Sequence, residues 1–504
     1  MLKDNLVPFA AALVILYGVL RVLYLRHIHP YSKYPGPFLA SISRGWLAQQ
    51  VIRGRVHKTQ RELHQQHGDI IRIAPDEISI SNPAAMQDIY ARNQFLKTDF
   101  YMPWRPSFAQ SPDLFTATNP GEHTKRKRLV NNIYSMRSIL ESEMLIDSCT
   151  EEFMSRMEGF METHQPIDLA LWVQWYAFDV IGELYFSSKF GFMREQSDVQ
   201  GLIGSLDTLL PGMCAASVLP KYARPLFLST GMFFKPARNA LRALKKIEEA
   251  AADCVRDRLS SIRRGGATRH DILNELLILH KRNAPGVFTV TDVQTEIYVG
   301  LLAGSDTTAA AISAILFYLM KHRDFYEKLQ TEIDNATKLG KLTYPRIKYI
   351  EAIKLPYLVA CCKEGMRMHP SVGMTLPRVV PPHGTSINGQ WFQGGCQVGM
   401  NASVIHLDKQ IFGDDAEVYN PERWLKGNST LMDRYMFQFG GGSRTCIGKN
   451  IALCEIYKLV PDFLRTYDIT LVDANSQWQT RNYWFNKPLS IPVRIHRRSG
   501  QDRS

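Results

Sequence analysis

Apolar residues fill almost every position of 6–25 (LVPFAAALVILYGVLRVLYL), with a single charge, Arg21, near the end of the run. About twenty such residues in a helix cross the hydrocarbon core of a bilayer. The segment therefore predicts one membrane anchor, with Arg21 snorkelling to the interface. A cleaved signal peptide is the competing reading, but small residues at a cleavage site are missing after the apolar run. Arg21, Arg26 and Lys33 follow the span, against one Lys and one Asp before it, which places the body of the protein in the cytosol. The sequons at Asn401 and Asn428 should then stay unmodified. Tyr34-Pro35-Gly36-Pro37 cannot continue a helix and reads as a stiff elbow between anchor and body.

Beyond the elbow the pattern is helical over 56–67, then β-branched around a Pro-Asp turn over 70–80 (IIRIAPDEISI), which predicts a hairpin and a small sheet near the N-terminus. Helical periodicity dominates 122–370, with long segments at 142–162, 169–185, 237–263, 291–319 and 356–368. Strand-like stretches punctuated by Gly and Pro return at 376–404 and 468–496. The expected fold class is mainly α, an α-rich α+β protein with strands at the two ends of the chain and helices in the middle. The expected organisation is an anchor at 1–28, an elbow at 29–40 and one catalytic domain at 41–504, closing on a polar, basic tail at 497–504.

Apolar residues make up 45% and charged residues 21%, close to globular averages, so no long stretch is expected to be disordered. A net charge of +12 favours an acidic partner: anionic lipid, nucleic acid or an acidic protein. Neither fingered Cys/His spacing nor an interleaved basic and aromatic repeat occurs, so membrane or protein is expected and nucleic acid is not. The eight cysteines are scattered and form no CxxC pair, which suits a reducing compartment and argues against a disulfide framework or a zinc site.

The densest chemical signal is Phe439-Gly440-Gly441-Gly442-Ser443-Arg444-Thr445-Cys446-Ile447-Gly448. Three glycines let the backbone turn tightly and approach a flat ligand, and Gly448 leaves the next helix start uncrowded. Cys446 lies just before a helical run at 447–459, whose N-terminal dipole and amides favour a thiolate. A thiolate ligand donates electron density to haem iron and promotes O–O cleavage. Phe439 can cover the sulfur side, and Arg444 can meet a haem propionate. The plain alternative is a buried structural cysteine beside a Gly-rich turn.

Phe-x-x-Gly-x-Arg-x-Cys-x-Gly is the haem-binding signature of the cytochrome P450 family, and the chain matches each fixed position. The resemblance implies haem b held by Cys446, which is then the iron ligand. In 299–311 (VGLLAGSDTTAAA) it places Asp306 and Thr307 as the acid and alcohol of the oxygen-activation motif. The residues agree: a buried threonine can bond back to the Ala303 carbonyl and bend the helix, small Ala303 and Gly304 leave room for dioxygen, and O₂ cleavage needs two protons. A polar helix face turned to solvent is the bland alternative.

Glu364 and Arg367 share a helix face. With Arg423 of Pro421-Glu422-Arg423-Trp424 they resemble the family's buried structural triad, which holds the cysteine loop. Arg378 is similar to the strand arginine that meets a propionate. The usual Trp-x-x-x-Arg helix departs here to His123 and Lys127, and Lys127 is a point charge that cannot bind bidentately. The same cationic run could instead face solvent and dock an acidic reductase.

By resemblance, specificity comes from the loop 100–118, the helix positions Val299, Leu302 and Ala303, the segment 372–376 with Val372 and Met374, and the turn 483–485 with Trp484. These segments are apolar and aromatic, as a greasy pocket requires. The stretch 209–234, with Lys221 and Arg224, is apolar enough for a second membrane contact. No GxGxxG stands between a strand and a helix, so electrons are expected from another protein, a membrane-bound NADPH-dependent cytochrome P450 reductase. The implied function is insertion of one oxygen atom from O₂ into a lipophilic small molecule at the endoplasmic reticulum membrane. The YPGP elbow, the IAPDEISI hairpin and the His123 helix are most similar to fungal microsomal members of the pisatin-demethylase and trichothecene-hydroxylase kind, which suggests specialised metabolism. Two rivals stay open: a haem-thiolate isomerase or dehydratase, and a non-catalytic haem protein that binds a ligand.

Overall fold

The computed structural model describes residues 6–91, 94–265 and 269–498. The tail beyond 498 and residues 1–5 lie outside the described residues. Helix α1 (Leu6–Leu23) is the apolar segment, and most of its side chains from Pro8 onward are exposed. It ends in a π-helical turn at Tyr24–Ile28. There the buried Arg72 guanidinium donates to the Leu25 carbonyl at 2.8 Å, tying the end of the apolar helix to the first strand of the body.

The body is mainly helical. Seven further helices carry the site: α2 (Pro120–Val130), α3 (Leu169–Tyr185), α4 (Leu202–Val218), α5 (Lys235–Arg263), α6 (Val290–Lys321), α7 (Pro356–Met368) and α8 (Lys449–Thr466). Helix α6 starts with a capping box: the Thr289 hydroxyl accepts from the Asp292 amide, and the Asp292 carboxylate accepts from the Thr289 amide. It packs along α3 so closely that a methyl group on Gly304 would lie 2.6 Å from Ile181. Helices α3, α6 and α8 supply much of the largest core.

The strands form small sheets around this helical body. Strands β1 (Ile70–Ala74) and β2 (Glu77–Ile80) make the expected hairpin. It joins β3 (Leu96–Lys97), β4 (Arg378–Val379) and β5 (Gln397–Gly399) in the order β1-β2-β5-β4-β3. Sequence-distant segments thus share one sheet, with Lys97 directly opposite Arg378. A second hairpin, β6 (Thr480–Tyr483) and β7 (Phe485–Pro488), turns at Trp484.

The stretch 209–234 differs from a loop-flanked run. It is the second half of α4, a short turn, and a helix at Arg224–Gly231. Arg224 faces inward, bonding the carbonyls of Leu219, Ser217 and Asp99 and pairing with the Asp99 carboxylate. The apolar side chains Tyr222, Leu226, Phe233 and Phe234 are exposed.

Candidate active site

The cysteine loop is shaped by close approach. Gly442 has φ +64°, and a Cβ there would sit 1.8 Å from the Tyr90 carbonyl oxygen, so only glycine fits. The Cys446 amide donates to the Phe439 carbonyl at 2.9 Å, closing the loop on itself. Helix α8 begins at Lys449 with Gly448 as its cap, two residues later than the periodicity suggests, because the tight turn uses Ile447 and Gly448. Cys446 is enclosed by protein, yet its accessible surface opens into an internal cavity of about 770 Å³. Burial pushes its thiol upward, while the amides of Gly448 and Lys449 and the ammonium groups of Lys127 and Lys449 favour the thiolate.

Glu364 and Arg367 lie beneath this loop, both fully buried. Arg367 Nε and Nη2 donate to the Glu364 carboxylate at 2.8 and 2.7 Å, and Arg423 Nε donates to it at 3.0 Å. Trp424 Nε1 and the Asn420 amide complete the carboxylate shell at 2.9 Å each. The connection to the loop runs through His406, which no sequence motif marks. Arg367 Nη1 donates to the His406 carbonyl, and His406 Nε2 accepts from the Phe437 amide at 2.8 Å, two residues before Phe439. With Nε2 accepting, Nδ1 carries the proton and donates to the Arg367 carbonyl. Burial keeps this imidazole neutral, with its pKa lowered to about 3.

Basic groups converge on one edge of the cavity. His123 and Lys127 from α2, Arg378 from β4 and Arg444 from the cysteine loop all line it, and so does Lys97 of β3, which sequence reasoning missed. Their donors reach carbonyls and a phenol: Lys97 to Phe115 O, Lys127 to Ser443 O, Arg444 to Ala117 O, and Arg378 to the Tyr101 hydroxyl. Among the described residues, none of the five forms an ion pair with a carboxylate. Burial and Arg378 bring Arg444 down to about 10, and burial together with Arg378 and Arg444 holds Lys97 well below the ordinary ammonium value. Burial, then Arg444 and Lys97, lower His123 to about 3, so it is neutral. Clustered buried cations without counter-ions are costly. They suit a ligand bearing carboxylates, and the thiol opposite suits a soft metal. The donor set therefore fits haem: a sulfur ligand from Cys446 at one wall and cations for two propionates at the edge.

Helix α6 lines the same cavity. Val299, Leu302, Ala303 and Thr307 line the cavity with Val372, Met374 and Trp484. The Thr307 hydroxyl donates to the Ala303 carbonyl at 2.8 Å, as the sequence suggests, although the helix stays continuous there. Asp306 does not line the cavity. Its buried carboxylate accepts from Gln174 Nε2 at 2.6 Å and lies 3.4 Å from Lys487 Nζ. Lys487, on β7, also pairs with Asp207 of α4 at 2.5 Å. Burial opposes the Lys487 charge, but Asp306 and Asp207 hold its pKa above the ordinary value. Phe439 lines the cavity beside Cys446, with Lys449 Nζ 5.6 Å from its ring centroid. The missed residues carried only weak signals: a lysine inside a short strand pattern at 97, and another three residues beyond the aromatic turn at 487.

A family model described as Cytochrome P450 matches residues 35–493. The cytochrome P450 monooxygenase gsfF of Penicillium aethiopicum is 40% identical over 494 residues, covering 96% of this chain and 98% of that protein. A pisatin demethylase of Fusarium vanettenii is 35% identical, covering 94% and 90%. The cytochrome P450 monooxygenase cicH of Emericella nidulans is 34% identical over 98% of both chains. A helical body with small separate sheets and a cysteine facing an internal cavity defines a haem-thiolate oxygenase. The chain belongs to the cytochrome P450 family and is a haem-containing monooxygenase that uses dioxygen, an organic substrate and a redox partner.

Proposed function

We propose that Cys446 is the thiolate ligand of haem b and that the cavity above it oxygenates a lipophilic metabolite of fungal specialised metabolism, by hydroxylation, epoxidation or demethylation. One observation carries this reading: Cys446 and Thr307 line the same largely apolar cavity, and so do cations that, among the described residues, have no carboxylate partner. The similarity to a pisatin demethylase supports a small organic molecule as the substrate.

Haem, when bound, supplies the electron transfer and the activation of dioxygen. The chain's own residues do the rest. Lys97, Lys127, Arg378 and Arg444 hold the propionates, with the His123 N–H as a neutral donor. Phe439 covers the sulfur side. Glu364, Arg367 and Arg423, acting through His406, keep the loop in place. Val299, Leu302, Ala303, Val372, Met374 and Trp484 exclude water and orient the substrate. Thr307 offers a hydroxyl inside the cavity. Asp306 stands behind it as the carboxyl of the relay, connected toward the surface through Lys487 and Asp207. This relay favours net oxygenation over isomerisation, dehydration or simple ligand binding, since cleavage of O₂ consumes two protons.

We further infer residues 1–28 as anchor, 29–40 as elbow and 41–504 as the catalytic domain, on the cytosolic face of the endoplasmic reticulum. The helix Pro8–Ile28 is only 6% buried, whereas the other long apolar helices among the described residues, Val199–Val218 and Val290–Lys321, are 56% and 67% buried. Arg21 sits beside Tyr222, so the exposed Leu226, Phe233 and Phe234 continue the lipid-facing surface of the anchor. The electron donor is an NADPH-dependent cytochrome P450 reductase, attracted by a net positive chain.

The test has two arms. Reduced protein treated with carbon monoxide should show the red-shifted absorbance of thiolate ligation, and Cys446→Ala should abolish it. Membranes with reductase and NADPH, offered candidate terpenoids, polyketides and alkaloids, should give products heavier by one oxygen or, for a demethylation, lighter by one CH₂ with formaldehyde released. An unchanged spectrum in the variant, or products formed without NADPH or without consumption of O₂, overturns the reading.

A further inference from the structure

Thr307 is held from two sides. Its hydroxyl donates to Ala303, and its main-chain carbonyl accepts a 2.7 Å hydrogen bond from the Ser371 hydroxyl, in the turn that follows α7. Both residues line the cavity. A helical carbonyl already serves the amide four residues on, so a second donor from outside tilts it away from the helix axis. Ser371 has one hydroxyl hydrogen and spends it on this bond, leaving only acceptor capacity toward the cavity.

The turn that carries Ser371 is itself fastened to the second hairpin. The Asn486 amide donates to the Ser371 carbonyl at 2.8 Å, and Val372 pairs with Phe485. Below them His369 Nδ1 accepts from Trp478 Nε1 at 3.1 Å, which leaves the proton on Nε2 to donate to the Asn486 carbonyl at 2.7 Å. The same hairpin bears Lys487 against Asp306, and at its tip Trp484, in the left-handed region at φ +86°, faces the cavity. Two consecutive residues of α6, 306 and 307, are therefore registered against one frame that also touches substrate space.

We propose that Ser371 is a positioning residue for oxygen activation: through the Thr307 carbonyl it sets where the Thr307 hydroxyl points in the cavity that Cys446 also lines. The proposal rests on the reading of Thr307 as the alcohol that relays protons. Its chemical consequence is a partition. In the productive course two electrons and two protons send one oxygen atom into substrate and the other into water. When the hydroxyl is misplaced, the same two electrons and two protons leave with O₂ as hydrogen peroxide.

The probe is carbon monoxide on the reduced full-length holoenzyme, with the infrared band of the bound gas reporting the hydroxyl beside it. Thr307→Ala sets the size of the shift when that hydroxyl is gone. Ser371→Ala should move the band in the same direction by at least about half as much, and Ser371→Thr should bring it back. Hydrogen exchange of the peptide 303–311 should rise about threefold in Ser371→Ala and return in Ser371→Thr. If Thr307→Ala shifts the band and Ser371→Ala does not, the inference is overturned while the reading of Thr307 survives. If Thr307→Ala leaves the band in place, both fall. Should Ser371→Ala fail to retain haem, Ser371→Cys, similar in size but a weak donor, is judged by the same two outcomes.

Discussion

Glu364 receives two parallel hydrogen bonds from Arg367, 2.7 and 2.8 Å long, with neither side chain exposed to solvent. Arg423 adds a third from a segment 59 residues later. Removing the carboxylate charge leaves two buried guanidinium groups facing one another. Glu364→Gln should cost about 3–5 kcal/mol. Denaturant titration of the holoenzyme measures it, and a loss below about 1 kcal/mol would show that the triad does not hold the fold.

Gly442 and Gly448 bracket Cys446 but should respond differently to a methyl group. Gly442→Ala combines a left-handed backbone with an overlap on the Tyr90 carbonyl and should cost at least about 2 kcal/mol, with a matching fall in haem per protein. At Gly448 the added Cβ meets only the Cys446 sulfur, at 3.9 Å, an ordinary contact. Gly448→Ala should therefore keep its folded yield. Equal losses in the two variants, read from thermal midpoints, would contradict this account of the loop.

Lys97 opposes Arg378 across β3 and β4, two buried cations in register. Lys97→Met relieves their repulsion in the protein stripped of haem and removes a propionate partner from the loaded one. The two forms should move in opposite senses. The haem-free midpoint should rise, and haem loss to a scavenger protein should quicken about tenfold. A variant that loses stability in both forms would remove Lys97 from the set of haem contacts.

His57, His369 and His406 have pKa values lowered by burial from 6.5 to about 3, about 4 and about 3. In each case the folded value lies below the unfolded one, so the unfolded chain takes up protons first as pH falls. Their stability contribution is complete above about pH 6.5 and shrinks toward pH 4, at up to about 1.4 kcal/mol per pH unit for each group. Asp462, raised by burial to about 6, works the other way between pH 6 and 3.8 and offsets one of the three. Unfolding free energy should fall by at least about 2 kcal/mol from pH 7 to pH 5. Equal values at the two pH values would mean that these imidazoles are not held neutral.

By itself the sequence determined the elements whose signals are local. Helices Val56–His67, Leu169–Tyr185 and Pro356–Met368 appear with the bounds that their periodicity predicts, because a 3.6-residue repeat is written into each segment alone. The glycine-rich approach to Cys446, the Glu364 and Arg367 pair and the Thr307 bond to Ala303 are legible for the same reason: each spans a few residues of one element. Tertiary structure decided the rest. Successive residues on a helix point about 100° apart, so Asp306 and Thr307 could not face the same space, and only the packing of α6 on α3 and on the hairpin sends Thr307 to the cavity and Asp306 to Gln174 and Lys487. Lys97, Ser371, His406 and Lys487 bear on residues more than thirty positions away in the chain or, for Lys97, on a cation cluster drawn from four separate segments. No local pattern encodes such meetings, because they arise from the closure of sheets and helices on one another.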